Sequence, residues 1–318
     1  MDLDVAQVRA FVRTAEELHF GRAAGTLAIS QQALSKRIAR LESLLGTTLF
    51  QRGGNGVRLT EAGQRFLPPA RQTVAAADAA VSAARGKERP LRIDVWGHLY
   101  APMRTLAQVA GQVAERSGEL ALGHGRDLPS VTAALLHGDV DAAFGRVHPP
   151  LPAGLAHRVV RLEPVDAVLS EEHPLAAEPS LRPDQLRDSL LWAPGALDRL
   201  DFLHRFADRF GIRNTATSVN LGLDRFLAEV TEEPCRFSLV PADVPLPDVP
   251  GLRAVPLVGP TPLYAWSLLW CSGNGHPGLN GLAAACAEEA GRNRWLEYDP
   301  TRDWLPEPPT NGSEPGRD

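Results

Sequence analysis

Residues 20–45, FGRAAGTLAISQQALSKRIARLESLL, read as two short helices with a tight joint. Ala23, Ala24 and Leu27 form an apolar face on the first. Ile29-Ser30 is the joint, and Ser30 is a natural N-cap, because its hydroxyl accepts from the free N–H groups of the next turn. The second helix is expected from about Gln31 to Leu45. Leu34, Ile38, Leu41 and Leu45 recur at steps of four, three and four, so they share one inward face. Gln32, Ser35, Lys36, Ala39, Arg40 and Ser43 point the other way. That outer face combines two cations, hydrogen-bonding groups near the helix start and small residues that permit close approach. A DNA major groove asks this of an inserted helix. A merely solvated face on an amphipathic helix is the competing reading.

The flanks extend the pattern. Residues 4–18 predict a supporting helix with Asp4 and Gln7 at capping-box spacing and a stripe of Val8, Phe11, Val12, Ala15 and Leu18. Gly46 ends the second helix of the pair as a left-handed residue. Thr48–Phe50 and Val57–Leu59 read as two short strands around the tip Arg52-Gly53-Gly54-Asn55-Gly56, a wing from which Arg52 and Arg58 reach phosphates or a minor groove. Thr60 caps a long helix in which Leu67, Ala70, Val74, Ala77, Val81 and Ala84 make a narrow heptad seam, suited to pairing with a second copy. Pro68-Pro69 fall inside it and are expected to bend it near its start. Gly86–Pro90 forms a hinge.

Composition sets the outer bounds. The 318 residues are 44% hydrophobic and 22% charged, the profile of an ordinary globular protein with length for more than one domain. No apolar run approaches the roughly 20 residues of a spanning helix, and the acidic start MDLDVAQ is not followed by a signal segment. Residence in the cytoplasm is therefore expected. The net charge of −5 conceals an asymmetry: residues 1–90 carry 13 Lys and Arg against 8 Asp and Glu, leaving 20 against 30 for the rest. A basic front on an acidic body suits a protein that presents one end to nucleic acid.

Residues 3–66 resemble, without a gap, the winged helix-turn-helix of LysR-type transcriptional regulators. The matching positions are Phe11, Ala15-Glu16, Phe20, Ala23-Ala24, Leu27, Ser30-Gln31, Leu34-Ser35, Ile38, Leu41-Glu42, Leu45-Gly46, Leu49-Phe50, Arg52, Val57, Leu59-Thr60 and Ala62-Gly63. Gln32 stands where many members have proline. The resemblance implies a DNA-binding dimer joined through residues 67–86, within a tetramer, acting on an interrupted palindrome in double-stranded DNA. Gln31, Gln32, Ser35 and Lys36 are expected in the groove, with Arg40, Arg52 and Arg58 on phosphates or in the minor groove.

Beyond the hinge, a strand at 91–96, a helix at 102–116, a strand at 120–122, a helix at 130–137 and a strand at 141–144 predict a parallel βαβαβ unit. Further strands are expected near 158–170, 189–192, 236–240, 253–257 and 264–271, and helices near 198–210, 220–230 and 279–291. Leu91–Trp96, Gly138–Ala143 and Glu172–Ala176 are similar to the effector region of the same family, which implies two α/β lobes like periplasmic binding proteins, with a small-molecule cleft between them. Ligands in such folds sit beyond strand ends, which selects Gly97, His98, Leu99 and Tyr100 after the first strand, Ser130 before a helix, Arg146 after the third strand and Leu197 in the second lobe. Arg146 could pair with a carboxylate effector or with an acidic side chain of the chain itself.

The expected organisation is thus α/β overall: a winged helix-turn-helix over 1–66, a linker over 67–89, a two-lobed effector domain over 90–299 and a disordered tail over 300–318. Cys235, Cys271 and Cys286 lack metal spacing and read as buried small hydrophobes. GNGHPG at 273–278 fits a dinucleotide pattern, but Pro277 removes a donor that a phosphate needs, and no βαβ unit follows. No catalytic or metal motif is present, so neither enzyme activity nor a cofactor is expected. Two alternatives stay open: a DNA-binding member that needs no effector, and an enzyme or solute-binding domain fused to a helix-turn-helix.

Overall fold

The computed structural model describes residues 2–53, 56–84, 89–97, 102–117, 119–219 and 221–306. Expectations placed on Gly54-Asn55, on 86–88, on His98, Leu99 and Tyr100, and on 307–318 lie outside the described residues.

The head packs α1 (Val5–Glu17), α2 (Phe20–Thr26) and α3 (Gln31–Leu45) against an antiparallel hairpin, β1 (Phe50–Gly53) and β2 (Gly56–Leu59). Side chains mark the helix starts. Asp4 accepts from the Ala6 N–H at 2.8 Å, Ser30 Oγ accepts from Ala33 N–H at 3.2 Å, and His19 Nδ1 takes the Gly21 and Arg22 N–H groups. Gly46 ends α3 at φ 66°, where a Cβ is unwelcome. The core forms around Phe11, whose ring lies 5.3 Å from Phe50 and 5.1 Å from Phe66, with Leu34, Ile38 and Leu41 beneath α3. Each such buried side chain contributes about 1.5–3 kcal/mol. Leu18 corrects the expected stripe of α1: it is the left-handed C-cap, at φ 46°, and is 48% exposed. The reversed backbone turn carries its Cβ off the helical face.

The linker helix α4 (Glu61–Ala84) begins at Thr60, whose Oγ1 accepts from Gly63 N–H at 3.0 Å. Its seam is divided. Leu67, Ala70 and Val74 pack into the head's own core, while Ala77 is half-buried and Val81 exposed. Arg9 of α1 pairs with Asp78 through two bonds of 2.8 and 2.6 Å, a contact that adds to the apolar packing of α1 on α4. The first half of the expected self-pairing surface is therefore used within the chain, because α1 presents an apolar stripe next to it.

The C-terminal half is built on one continuous sheet in the order β4-β3-β5-β11-β6-β9-β7-β8. In the first lobe β3 (Leu91–Val95) pairs in parallel with β4 (Leu120–His124) and β5 (Ala142–Gly145), with α5 (Pro102–Ser117) and α6 (Leu128–His137) as crossovers. In the second, β7 (Leu190–Ala193) is parallel to β8 (Asn214–Thr217) and β9 (Arg236–Pro241), with α7 (Asp201–Phe210) and α8 (Leu223–Thr231). Two long antiparallel strands, β6 (Leu155–Ser170) and β11 (Thr261–Cys271), join the lobes. β6 pairs with β11 along its first half and with β9 and β10 (Leu252–Pro256) along its second. α9 (Pro277–Arg292) returns to lie on α5.

Residues 300–306 correct the expected tail. β12 (Asp303–Trp304) adds to β11 in parallel, and Leu305 is buried with Leu162 and Leu263. Trp304 inserts among Phe202, Phe206 and Phe210. Proline-rich, charged composition around these two apolar anchors suggests disorder, but a prepared aromatic socket outweighs it.

Asp141 fastens the hinge to the first lobe. It is 4% exposed and accepts from Arg89 at 2.6 and 2.7 Å and from Arg92 through both backbone and guanidinium. Burial pushes this carboxyl up, yet the two arginines outweigh it and hold it at about 2, against an ordinary 3.8. A carboxyl depressed on folding stabilises above its unfolded value and loses that contribution as pH falls through its folded value. The difference corresponds to about 2 kcal/mol, lost between about pH 4 and about pH 2. Asp141→Asn is expected to lower stability at neutral pH by about that amount and to flatten the acid limb, which denaturant melts across pH would read.

Candidate functional site

Two places gather chemistry. The first is the outer face of α3. Gln31, Gln32, Lys36, Ala39, Arg40 and Ser43 are exposed, Ser35 is half-buried, and Leu34, Ile38 and Leu41 point into the core. Among the described residues no carboxylate forms an ion pair with Lys36 or Arg40. Acidic Glu42 is turned inward, where it accepts from Leu49 N–H at 2.7 Å and Phe50 N–H at 3.2 Å and so ties α3 to the wing. Arg58 is exposed on β2, and Arg52 holds a register position opposite Val57. The outer face of α3 and Arg58 of the hairpin are thus cationic and exposed.

The second is a cavity of about 230 Å³ between the lobes. Trp96, Gly97, Leu128, Arg146 and His148 line it from the first lobe, and Pro194, Leu200, Asp201, Phe202 and Leu203 from the second, with Tyr264 of β11 as its floor. Gly97 has φ 99°, and a Cβ there would meet Trp266 at 3.5 Å and the Tyr264 hydroxyl at 3.9 Å. A second glycine shapes the wall: a Cβ on Gly145 would lie 2.2 Å from the Trp96 indole. Behind the floor, buried Glu163 accepts from Trp266 Nε1 at 2.7 Å, and burial pushes its carboxyl up.

Arg146 is 7% exposed and crosses the cavity to Asp201, with Nη2 at 2.5 Å and Nε at 3.0 Å from Oδ2. Its guanidinium carbon lies 5.7 Å from the Phe202 ring centre and 5.8 Å from that of Tyr264. Asp201 also accepts from Arg205 at 2.7 Å on its other oxygen, with His148 Nδ1 at 3.9 Å. Burial pushes the Asp201 carboxyl up, but Arg205 and Arg146 outweigh it and keep it below the usual range.

The expected cleft residues divide accordingly. Gly97 and Arg146 line the cavity; His98, Leu99 and Tyr100 lie outside the described residues. Ser130 and Leu197 are not among the residues that line the cavity. Ser130 closes a capping box with Asp127, which accepts from the Ser130 N–H at 2.9 Å, so the N-terminus of α6 is satisfied by its own chain. Leu197 packs against the core instead of lining the cavity. It falls one turn short of Asp201, the residue of this segment that faces Arg146. The first turn of α7 was the available signal, since a carboxylate is favoured there.

The remaining motifs are structural. In the GNGHPG stretch, Asn274 Nδ2 donates to the Asp141 carbonyl at 2.6 Å, and His276 caps α9 by accepting from Gly278 N–H. Cys271 and Cys286 are buried, and burial pushes the Cys286 thiol up to about 12. Cys235 departs from expectation, being exposed in the turn before β9. No cluster that could hold a metal occurs among the described residues. No helix among them is long and apolar enough to cross a membrane.

Comparison with known proteins follows the same division. Residues 5–64 match the family model of the bacterial regulatory helix-turn-helix protein, lysR family, and residues 119–291 match that of the LysR substrate binding domain. The chain is 34% identical over 197 residues to the Escherichia coli HTH-type transcriptional regulator YnfL, covering 57% of this chain and 62% of that one. It thus spans about three fifths of that relative's length. To the HTH-type transcriptional regulator IlvR of Caulobacter vibrioides it is 32% identical over 306 residues, covering 90% and 98% of the two chains. A full-length OxyR variant from Pseudomonas aeruginosa shares the fold, with a TM-score of 0.68 at 22% identity over 90% of this chain and 95% of that one.

Proposed function

The chain belongs to the LysR family, and from that premise we propose that it is a sequence-specific DNA-binding transcriptional regulator whose interlobe cleft takes a small-molecule effector. The observation that carries the reading is the outer face of α3: two cations and short or amide polar side chains, presented together on a helix whose opposite face is locked into the head. Gln31, Gln32, Ser35 and Lys36 would read base edges, and Arg40, Arg52 and Arg58 would hold phosphates or an adjacent minor groove. Copies would pair through the half of α4 that the head leaves open, around Ala77 and Val81. Two heads on a two-fold axis select an interrupted palindrome, and a pair of such dimers makes a tetramer. The work of the protein is regulation in the cytoplasm, with neither enzyme chemistry nor a cofactor in the scheme.

Selection from a randomised double-stranded library with the purified full-length protein tests this. An enriched site with two inverted half-sites is expected, with affinity that falls steeply as salt rises, because each neutralised phosphate releases a counterion. Enrichment of nothing above the non-specific background, with correctly folded protein, would remove the reading.

A further inference from the structure

We propose that the cleft accepts a small monocarboxylate with an apolar body, and that the ligand binds by taking the place of the chain's own Asp201 carboxylate on Arg146. The inference rests on the reading of the cleft as an effector site. Arg146, at the end of β5, has its side chain 8% exposed. A desolvated guanidinium without an anion is strongly unfavourable, and the fork geometry favours a carboxylate. Among the described residues the only carboxylate bonded to it is that of Asp201, from the opposite lobe. The position facing Arg146 thus calls for a carboxylate, and the second lobe supplies one.

The occupant can leave. Asp201 is bound to Arg146 through one oxygen alone, whereas its other oxygen is held by Arg205 at 2.7 Å and faced by His148 at 3.9 Å. On displacement it keeps a cation on its own helix, and a charge is not stranded. An incoming carboxylate restores the Arg146 pair, so the exchange conserves the number of buried ion pairs. The surrounding charge favours an anion. Arg126 from the first lobe and Arg199 from the second are exposed at the rim, while the nearby Asp127 is occupied in capping α6. The walls select the rest of the ligand. Trp96, Phe202 and Tyr264 present rings, Leu128, Leu200 and Leu203 aliphatic surface, and the cavity of about 230 Å³ falls below the roughly 300 Å³ at which drug-sized sites begin. Because Arg146 and Asp201 stand on different lobes, the exchange also removes a tie between them, giving the ligand the differential interaction that any switch requires.

The test titrates full-length protein, by calorimetry, with phenylacetate and 3-methylbutanoate, each against its neutral amide. The acids are expected to bind at least about tenfold more tightly than the amides, the effect of one charge-assisted bond. Asp201→Asn removes the competing charge and should strengthen acid binding by about tenfold. Arg205→Gln removes the fallback partner, ties Asp201 more firmly to Arg146 and should weaken acid binding several-fold, a change of opposite sign that a merely structural disturbance would not produce. Acid binding to Asp201→Asn alone would overturn the exchange, because the parent chain would then keep Asp201 on Arg146 against the ligand. Equal binding of acids and amides, or no binding by either protein, would overturn it. DNA affinity measured on the same preparations keeps the two failures apart: if it persists without carboxylate binding, the ligand class falls and the regulator reading stands.

Discussion

Replacing Ser35 and Lys36 together by alanine is expected to lower affinity for the selected DNA site on the order of a hundredfold, while leaving thermal stability unchanged. Each good base-edge contact is worth about 1–3 kcal/mol, and the positive charge of a lysine in the groove adds an electrostatic share. Both residues lie on the outer side of α3, so neither change opens the core formed by Leu34, Ile38 and Leu41. Alanine is also the best helix former, which protects α3. The two contributions separate in single variants. Lys36→Ala should also flatten the dependence of log affinity on log salt, because it withdraws a cation from the phosphate-lined groove. Ser35→Ala should leave the slope alone and relax preference at one base pair. Fluorescence anisotropy at several salt concentrations reads both. An unchanged affinity in the double variant would mean that α3 is not the reading helix.

Gly63→Ala should cost about 3 kcal/mol or more in the stability of the head and abolish DNA binding with it. A Cβ on Gly63 would lie 2.2 Å from the Leu49 carbonyl oxygen and 2.9 Å from a Leu59 methyl. The carbonyl cannot withdraw, because it accepts from the Thr60 N–H at 3.0 Å at the junction of wing and linker. Gly63 N–H is itself bound to Thr60 Oγ1, so α4 cannot slide without losing its cap. Gly111→Ala in α5 is the control: a Cβ there meets nothing within 4 Å, and the change should be neutral or stabilise by about 0.5–1 kcal/mol. Denaturant melts of both variants compare them directly.

Little of the head had to wait for the structure. Step sizes among Leu34, Ile38 and Leu41, the cap at Ser30 and the glycine at 46 are local facts, and helices of this kind obey local rules. The long strands and most helices of the C-terminal half were legible for the same reason. β8 was not, since the four residues Asn214–Thr217 carry no apolar alternation and pair only because β7 is already in place. β12 was equally illegible, its two residues being held by pairing and by the aromatic socket of Phe202, Phe206 and Phe210. Leu18 departed from its stripe through a single reversed backbone turn.

The candidate cleft divides along the same line. Gly97 and Arg146 were marked by their place after strands, a rule of topology that sequence order carries. Asp201, Phe202 and Tyr264 come from segments 55 or more residues away, and nothing in the local pattern links them to Arg146. By itself, the amino-acid sequence determined α3, its inward and outward faces, the hairpin that follows and the alternating strands and helices, because periodicity, capping and glycine geometry act within a few residues. Tertiary structure alone decided which half of the α4 seam stays open, that residues 303–305 pack onto β11, and that Arg146 meets a carboxylate of its own chain across the lobes. Those outcomes depend on which buried surfaces and charges find each other in space, and that pairing has no period in the chain.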